Sequence, residues 1–179
     1  MKISALAMGA LALTATTPAI AGDLNGAGAS FPAPIYQRWF KDYADKTGNQ
    51  VNYQAVGSGA GVRQYKAGTT DFGASDKAVS DKKLSGISRP MVQIPMTGGA
   101  IAVAYNKPGC DLKLTQTEVA QVFYGRINNW SHFGCGDTPI TIAVRSDGSG
   151  TTAGFTNSLS AFSIYWDVRV GRGKSVNWP

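Results

Sequence analysis

An α/β fold built on a largely parallel sheet is predicted by three features of the sequence. Short extended-type runs, alternating or wholly apolar, take turns along the chain with stretches of helical periodicity. At three places a run expected as a strand passes into a loop of glycine and hydroxyl residues, and a helix is expected to start directly after it. Glycine accounts for 22 of the 179 residues while only 16% are charged, a composition suited to a compact chain with many tight turns. Strands that alternate with helices are joined by crossovers, and a crossover returns the next strand parallel to the last.

The elements follow in order. Residues 23–26 are expected as a short first strand. Residues 32–46 are expected as a helix, because Ile35, Tyr36, Trp39, Phe40 and Tyr43 recur near 3.6 residues, with Pro32 at the start and Gly48 beyond the end. Val51, Tyr53 and Ala55 alternate with polar residues as a strand running into Gly57. A helix over 61–66, a strand over 71–74 and a brief helical turn over 80–84, capped by Ser80, come next. The apolar runs 91–96 and 100–105 carry the pattern of buried strands. Thr115 and Glu118 form a capping box that opens a helix to Tyr124, stopped at Gly125. A strand over 140–144 and a helix over 151–159 complete the series. The tail, 168–179, shows neither a closing helix nor a strand, and reads as a chain interrupted in mid-course.

The first residues point to export. Lys2, a short apolar run over 3–13, Thr16, Thr17 and Pro18, and then Ala19-Ile20-Ala21 have the order of a secretory signal peptide cleaved after Ala21. No later segment approaches the roughly 20 apolar residues of a membrane-spanning helix. No cysteine lies near Ala21 to carry a lipid, so the expected compartment is a periplasm of the Gram-negative type. Cys110 and Cys135, each in a glycine-bearing loop, are expected to pair as one disulfide in that oxidising space. Two thiols and the single His132 are too few for a metal site. The net charge of +6 becomes +5 once Lys2 is removed, and the basic residues are scattered, with Lys82-Lys83 the longest run, so nucleic acid is not an expected partner. The length after cleavage suits one domain or two small ones, and there is no internal repeat.

The three loops carry the chemistry. They are Gly26-Ala27-Gly28-Ala29-Ser30-Phe31-Pro32, Gly57-Ser58-Gly59-Ala60-Gly61 and Arg145-Ser146-Asp147-Gly148-Ser149-Gly150-Thr151-Thr152. Each offers unpaired backbone N–H groups at the positive end of a helix, with a hydroxyl donor beside them. One such loop is usually no more than a helix cap. Three in a chain of this length, the third led by an arginine, point to capture of an oxyanion, for which Arg145 supplies a planar donor fork. Asp76 is then out of place unless the anion brings a proton. Protonated phosphate can donate to a carboxylate, whereas sulfate cannot, and an unpaired buried acceptor costs about 1–3 kcal/mol.

Taken together, the first loop with Ala33-Pro34, the second with Val62, Asp71-Phe72-Gly73-Ala74-Ser75-Asp76 and the third loop resemble the PstS-type phosphate-binding proteins of ABC transporters in order and spacing. Tyr124-Gly125-Arg126-Ile127-Asn128-Asn129-Trp130 and the final Trp178-Pro179 extend the likeness over the chain after the signal segment. The resemblance implies the type II periplasmic binding-protein fold, two α/β lobes with an anion cleft between them, here 22–96 and 97–179 with the second incomplete at the C-terminus. It places Ser30, Phe31, Ser58 and Asp76 on the first lobe and Arg145, Ser149, Gly150 and Thr151 on the second, all toward phosphate. It gives Asp147 the task of orienting Arg145. It implies no cofactor, a monomer, and delivery of inorganic phosphate to a pair of inner-membrane permease subunits. Ser30 stands where familiar members have threonine, which keeps the hydroxyl. Those members also continue past Trp-Pro.

Rival functions are weaker on the same residues. A secreted phosphatase needs a nucleophile with a base, or a metal cluster. His132 lies in an aromatic loop, Ser149 lacks a G-x-S-x-G elbow, and no lysine follows the glycines as in a P-loop. A sulfate or molybdate receptor has no use for Asp76. A purely structural envelope protein would not respond to anions at all.

Overall fold

The computed structural model describes residues 22–179, so the expected signal segment lies outside the described residues. Strand β1 (Leu24–Gly28) is the centre of a three-stranded parallel sheet of order β2-β1-β3, with β2 at Val51–Ala55 and β3 at Phe72–Ala74. Helix α1 (Ala33–Thr47) crosses from β1 to β2, and α2 (Ser58–Ala67) leads from β2 to β3. Small residues in β1 let α2 and the Phe72 ring come close. A Cβ at Gly26 would sit 2.1 Å from the Phe72 ring, so glycine is what allows that ring to lie across the strand and stack on Tyr53. On that face Tyr36 and Phe40 of α1 close a cluster with Ala29, Ala74 and Tyr53. Gly61 brings α2 onto the sheet, since a Cβ there would meet the Gly28 Cα at 2.4 Å.

The second half of the chain has its own cluster. Helices α4 (Gln116–Phe123), α5 (Gly150–Phe162) and α6 (Ile164–Arg169), which follow the short α3 (Asp81–Leu84), gather Ala120, Leu159 and Trp166 in a buried centre. Phe123, Phe155 and Val170 pack around it. Trp178 folds back against Phe123 and Trp166, so the tail returns to the helices. The capping box of α4 forms as expected, Thr115 and Glu118 each bonding the other's backbone N–H, and Gly125 follows the helix in the left-handed conformation (φ 78°). The Cys110–Cys135 disulfide is present, with Cα atoms 5.4 Å apart, and ties the 105–112 segment to a single 3₁₀ turn at Trp130–Phe133.

Several expectations need correction. Residues 91–96, 100–105 and 140–144 join no ladder, and their apolar side chains are not buried: Val92 is 82% and Ile94 69% exposed. A short apolar run states only that burial would be favourable, whereas a strand exists only within a hydrogen-bonded ladder; at the third run Ile140 N donates to Asn128 O at 2.8 Å beside an isolated antiparallel bridge between Asn129 and Pro139, and the pairing goes no further. Near the first run lie individual bonds instead, Gln93 Oε1 accepting from Val79 N at 2.7 Å and Tyr65 Oη donating to Pro90 O at 2.7 Å. Helix α2 starts at Ser58, three residues before the expected Gly61, because Gly57 at φ 85° makes the whole turn by itself. The Ser80 hydroxyl makes no capping bond, and its main-chain oxygen instead accepts from Lys83 N and Leu84 N. Helix α5 runs on to Phe162, and α6, capped by the Ser163 hydroxyl on Trp166 N, was not foreseen.

Candidate anion-binding site

The site forms where the three strands end and three helices begin. After β1 the chain turns at Gly28, where any Cβ would strike Ala74 O at 2.1 Å, and Ala29 N donates to that same oxygen. Ser30 follows at the entry to α1. After β2, Val56 N and Gly57 N both donate to Gly28 O, which brings the head of α2 beside the first loop. Ser58 opens α2 fully buried, and its Oγ accepts from Asp76 N at 3.3 Å. Asp76 itself comes two residues after β3.

The third loop reaches these groups from the other half of the chain. Arg145 Nε donates to Asp147 Oδ1 at 2.6 Å and Nη2 donates to Asp147 Oδ2, a two-pronged grip on one carboxylate. These hydrogen bonds raise the guanidinium above its usual pKa and lower the Asp147 carboxyl below its own. Both side chains are more than a third exposed, so the pair adds little stability. Its effect is direction: Arg145 is aimed so that Nη1 donates to Ser30 Oγ at 3.2 Å, across 115 residues of sequence. Thr151 Oγ1 donates to Asp76 Oδ2 at 3.1 Å, and Gly59 N to Gly148 O at 2.7 Å. Glycine is required at two of these approaches. A Cβ at Gly57 would meet Asp147 Oδ2 at 2.2 Å, and one at Gly150 would meet Ser58 Oγ at 2.5 Å.

Ser30, Ser58, Asp76, Arg145, Gly150 and Thr151 thus converge, with Asp147 behind the arginine. Ser149 adjoins them, but its Oγ is turned back to cap α5, accepting from Thr152 N at 3.1 Å. Phe31 stands at the rim, 44% exposed, with its ring against Gly99. Arg145 and Asp76 are exposed rather than buried, contrary to what a buried strand over 140–144 would impose. What sets the pair apart from a plain surface ion pair is therefore the reach of Arg145 to Ser30. Helices α2 and α5 point their N-termini here, each equivalent to about half a positive charge.

One participant was missed. Lys174 Nζ donates to Ser75 Oγ at 2.8 Å and to Ser58 O at 3.4 Å, and partial burial lowers its pKa. No local signal marks it, because it sits in the irregular tail and arrives only through the fold. His132, by contrast, stands apart: its Nε2 is 3.8 Å from Glu118 Oε1 and its ring packs on Phe133. Hydrogen bonds from Thr115 are the main cause of the lowered Glu118 pKa. Among the described residues no three His, Cys, Asp or Glu side chains gather as metal ligands, and no helix is long and apolar enough to cross a membrane.

Parallel-sheet strand ends that meet helix N-termini are an arrangement found in many α/β proteins; which of them this chain belongs to is shown by the sequence profile of the PBP superfamily domain, which matches residues 13–169. The chain belongs to that superfamily. It is 44% identical over 171 residues to the phosphate-binding protein PstS of Haemophilus influenzae, covering 88% of this chain and 50% of the relative. The PstS of Methanocaldococcus jannaschii is 36% identical over 170 residues, covering 85% and 44%. The chain spans about half the length of the relatives it matches. Among solved structures, a protein from Clostridium perfringens described as a phosphate ABC transporter substrate-binding protein, with bound phosphate, aligns with TM-score 0.61 at 20% identity, over 76% of this chain and 55% of that one. An ABC-type phosphate transport receptor from Vibrio cholerae aligns with TM-score 0.51 at 19% identity, over 77% and 56%. At those identities the likeness is one of fold.

Proposed function

We propose that this chain is part of an exported phosphate receptor that holds inorganic phosphate between two lobes, 22–96 and 97–179, and delivers it to an ABC permease pair as a monomer. The observation that carries the reading is Arg145, gripped by Asp147 and aimed at Ser30 from the opposite half of the chain. Two separate hydrophobic clusters, one on each side of the site, support a division into lobes. The names of the relatives support the choice of phosphate.

In this reading the lobes close around the anion, and contacts now made across the site exchange for contacts to its oxygens. Arg145 Nη1 leaves Ser30 Oγ for one oxygen. Ser30, Ser58 and Thr151 supply hydroxyl donors. Phe31 and Gly150 supply backbone N–H groups, that of Gly150 at the positive end of α5, and Ser149, whose N–H is bonded to Lys174 O, supplies the proton of its hydroxyl. Asp76, whose Oδ2 already accepts a hydrogen bond from Thr151 Oγ1, accepts another from the P–OH group that phosphate carries and sulfate lacks. The selectivity is that of a fixed acceptor against a ligand without a donor. Binding without turnover is favoured because His132 is engaged with Glu118 and Phe133 instead of any hydroxyl of the site. The test is calorimetric titration of the product of the whole reading frame with phosphate, with sulfate in excess. Tight binding that ignores sulfate is expected, and a folded product that binds neither anion refutes the reading.

A further inference from the structure

We propose that Lys174 is a positioning residue of the site, a charged tether that holds the two halves together and offsets Asp76. The inference rests on the phosphate reading. The backbone around Lys174 belongs to the α5 side: its carbonyl accepts from Ser149 N at 2.9 Å. Next to it, Gly173 N donates to the buried Thr156 Oγ1 at 3.1 Å, and Thr156 Oγ1 donates in turn to Gly173 O. Arg172 Nη2 is held by Asp167 at 3.0 Å. From that anchored backbone the ammonium crosses to the other half and donates to Ser75 Oγ and Ser58 O, at the heads of the second loop and the Asp76 turn. One residue therefore touches α5 through its main chain and the β3 and α2 side through its ammonium.

Charge balance gives the tether a second consequence. Arg145 is largely neutralised by Asp147, so without Lys174 the charge of Asp76 would cancel the partial positive charges of the α2 and α5 N-termini and leave little attraction for a phosphate anion. Lys174 is the cation that offsets it; Lys77 and Lys83 also act on Lys174, as like charges. Both hydrogen-bond acceptors of Lys174 are neutral, so a tether alone would not require a cation there. An ammonium confined near Asp76 adds attraction for the incoming anion at short range, where screening is weak.

The experiment compares phosphate affinity of the full-length protein with that of its K174M, K174Q and K174R variants, together with thermal unfolding in the absence of phosphate. K174M and K174Q are expected to weaken phosphate binding about tenfold, with a small fall in the unliganded unfolding midpoint from the lost tether, and K174R to recover most of the loss of affinity. Affinity within about twofold of the parent in K174M, a K174R as weak as K174M, or a K174Q as tight as the parent would each overturn the proposal. If the parent itself fails to bind phosphate, the receptor reading falls and this inference with it. A parent that binds and a K174M that binds equally sink only the inference.

Discussion

Gly150 offers the sharpest separation of closure from folding. It is the first residue of α5, and a Cβ built there would lie 2.5 Å from Ser58 Oγ and 2.6 Å from both Cβ and Cγ of Asp76. Those distances are roughly 1 Å inside ordinary contact, against atoms of the opposite half of the chain. Overpacking of this kind costs about 1–3 kcal/mol, which corresponds to about a 5- to 150-fold rise in Kd. The same methyl group does no local harm, because Gly150 is not among the left-handed glycines and alanine is the better helix former by up to about 1 kcal/mol. The two hydrophobic clusters lie in separate halves, so the halves can part to relieve this clash without unfolding, and G150A should then melt near the parent's temperature while binding phosphate far more weakly. The assay pairs calorimetry with a thermal melt in phosphate-free buffer. An unchanged Kd would show that Gly150 does not approach Ser58 and Asp76 in the liganded state. A lowered melting temperature with unchanged Kd would place the close approach in the fold itself.

Further outcomes follow from the same geometry. D76N is expected to keep phosphate binding and to let sulfate compete, since an amide both donates and accepts; unchanged selectivity in the competition titration would remove Asp76 from the discrimination. Asp147 has its folded pKa depressed by Arg145, so the pair's contribution is complete above the unfolded value of about 4 and is lost as pH falls through the folded one. A carboxyl NMR titration should find Asp147 below the ordinary aspartate range and find it restored in R145M. Reducing the Cys110–Cys135 bridge, which spans 25 positions, should cost about 3–4 kcal/mol in denaturant unfolding, with phosphate affinity nearly unchanged, because neither cysteine touches the site.

Local chemistry made much of this molecule legible. Helices α1 and α4 declared themselves through period and end signals: Pro32 fits the first turn of α1, Gly48 N closes its end on Ala44 O, and Thr115 with Glu118 caps α4, all within a few residues of sequence. The glycines of the first two loops mark strand-to-helix turns for the same local reason. The runs 91–96, 100–105 and 140–144 were misread because apolar composition reports a demand for burial, and ladder pairing depends on what lies beside the segment. The exposure of Asp76 and Arg145, and the inward turn of the Ser149 hydroxyl, were equally beyond a one-dimensional reading.

By itself the sequence determined the residue types that can hold an oxyanion, the order in which they come, the parallel α/β arrangement and the cysteine pair. Only the tertiary structure decided that Arg145 reaches Ser30, that Thr151 meets Asp76, that Gly150 is jammed against Ser58, and that Lys174 joins the site at all. The physical reason is range. Caps, turns and periodicity are set by neighbours within a turn or two, whereas contacts across 75 to 116 positions exist only once two hydrophobic clusters have formed and brought their strand ends and helix heads face to face.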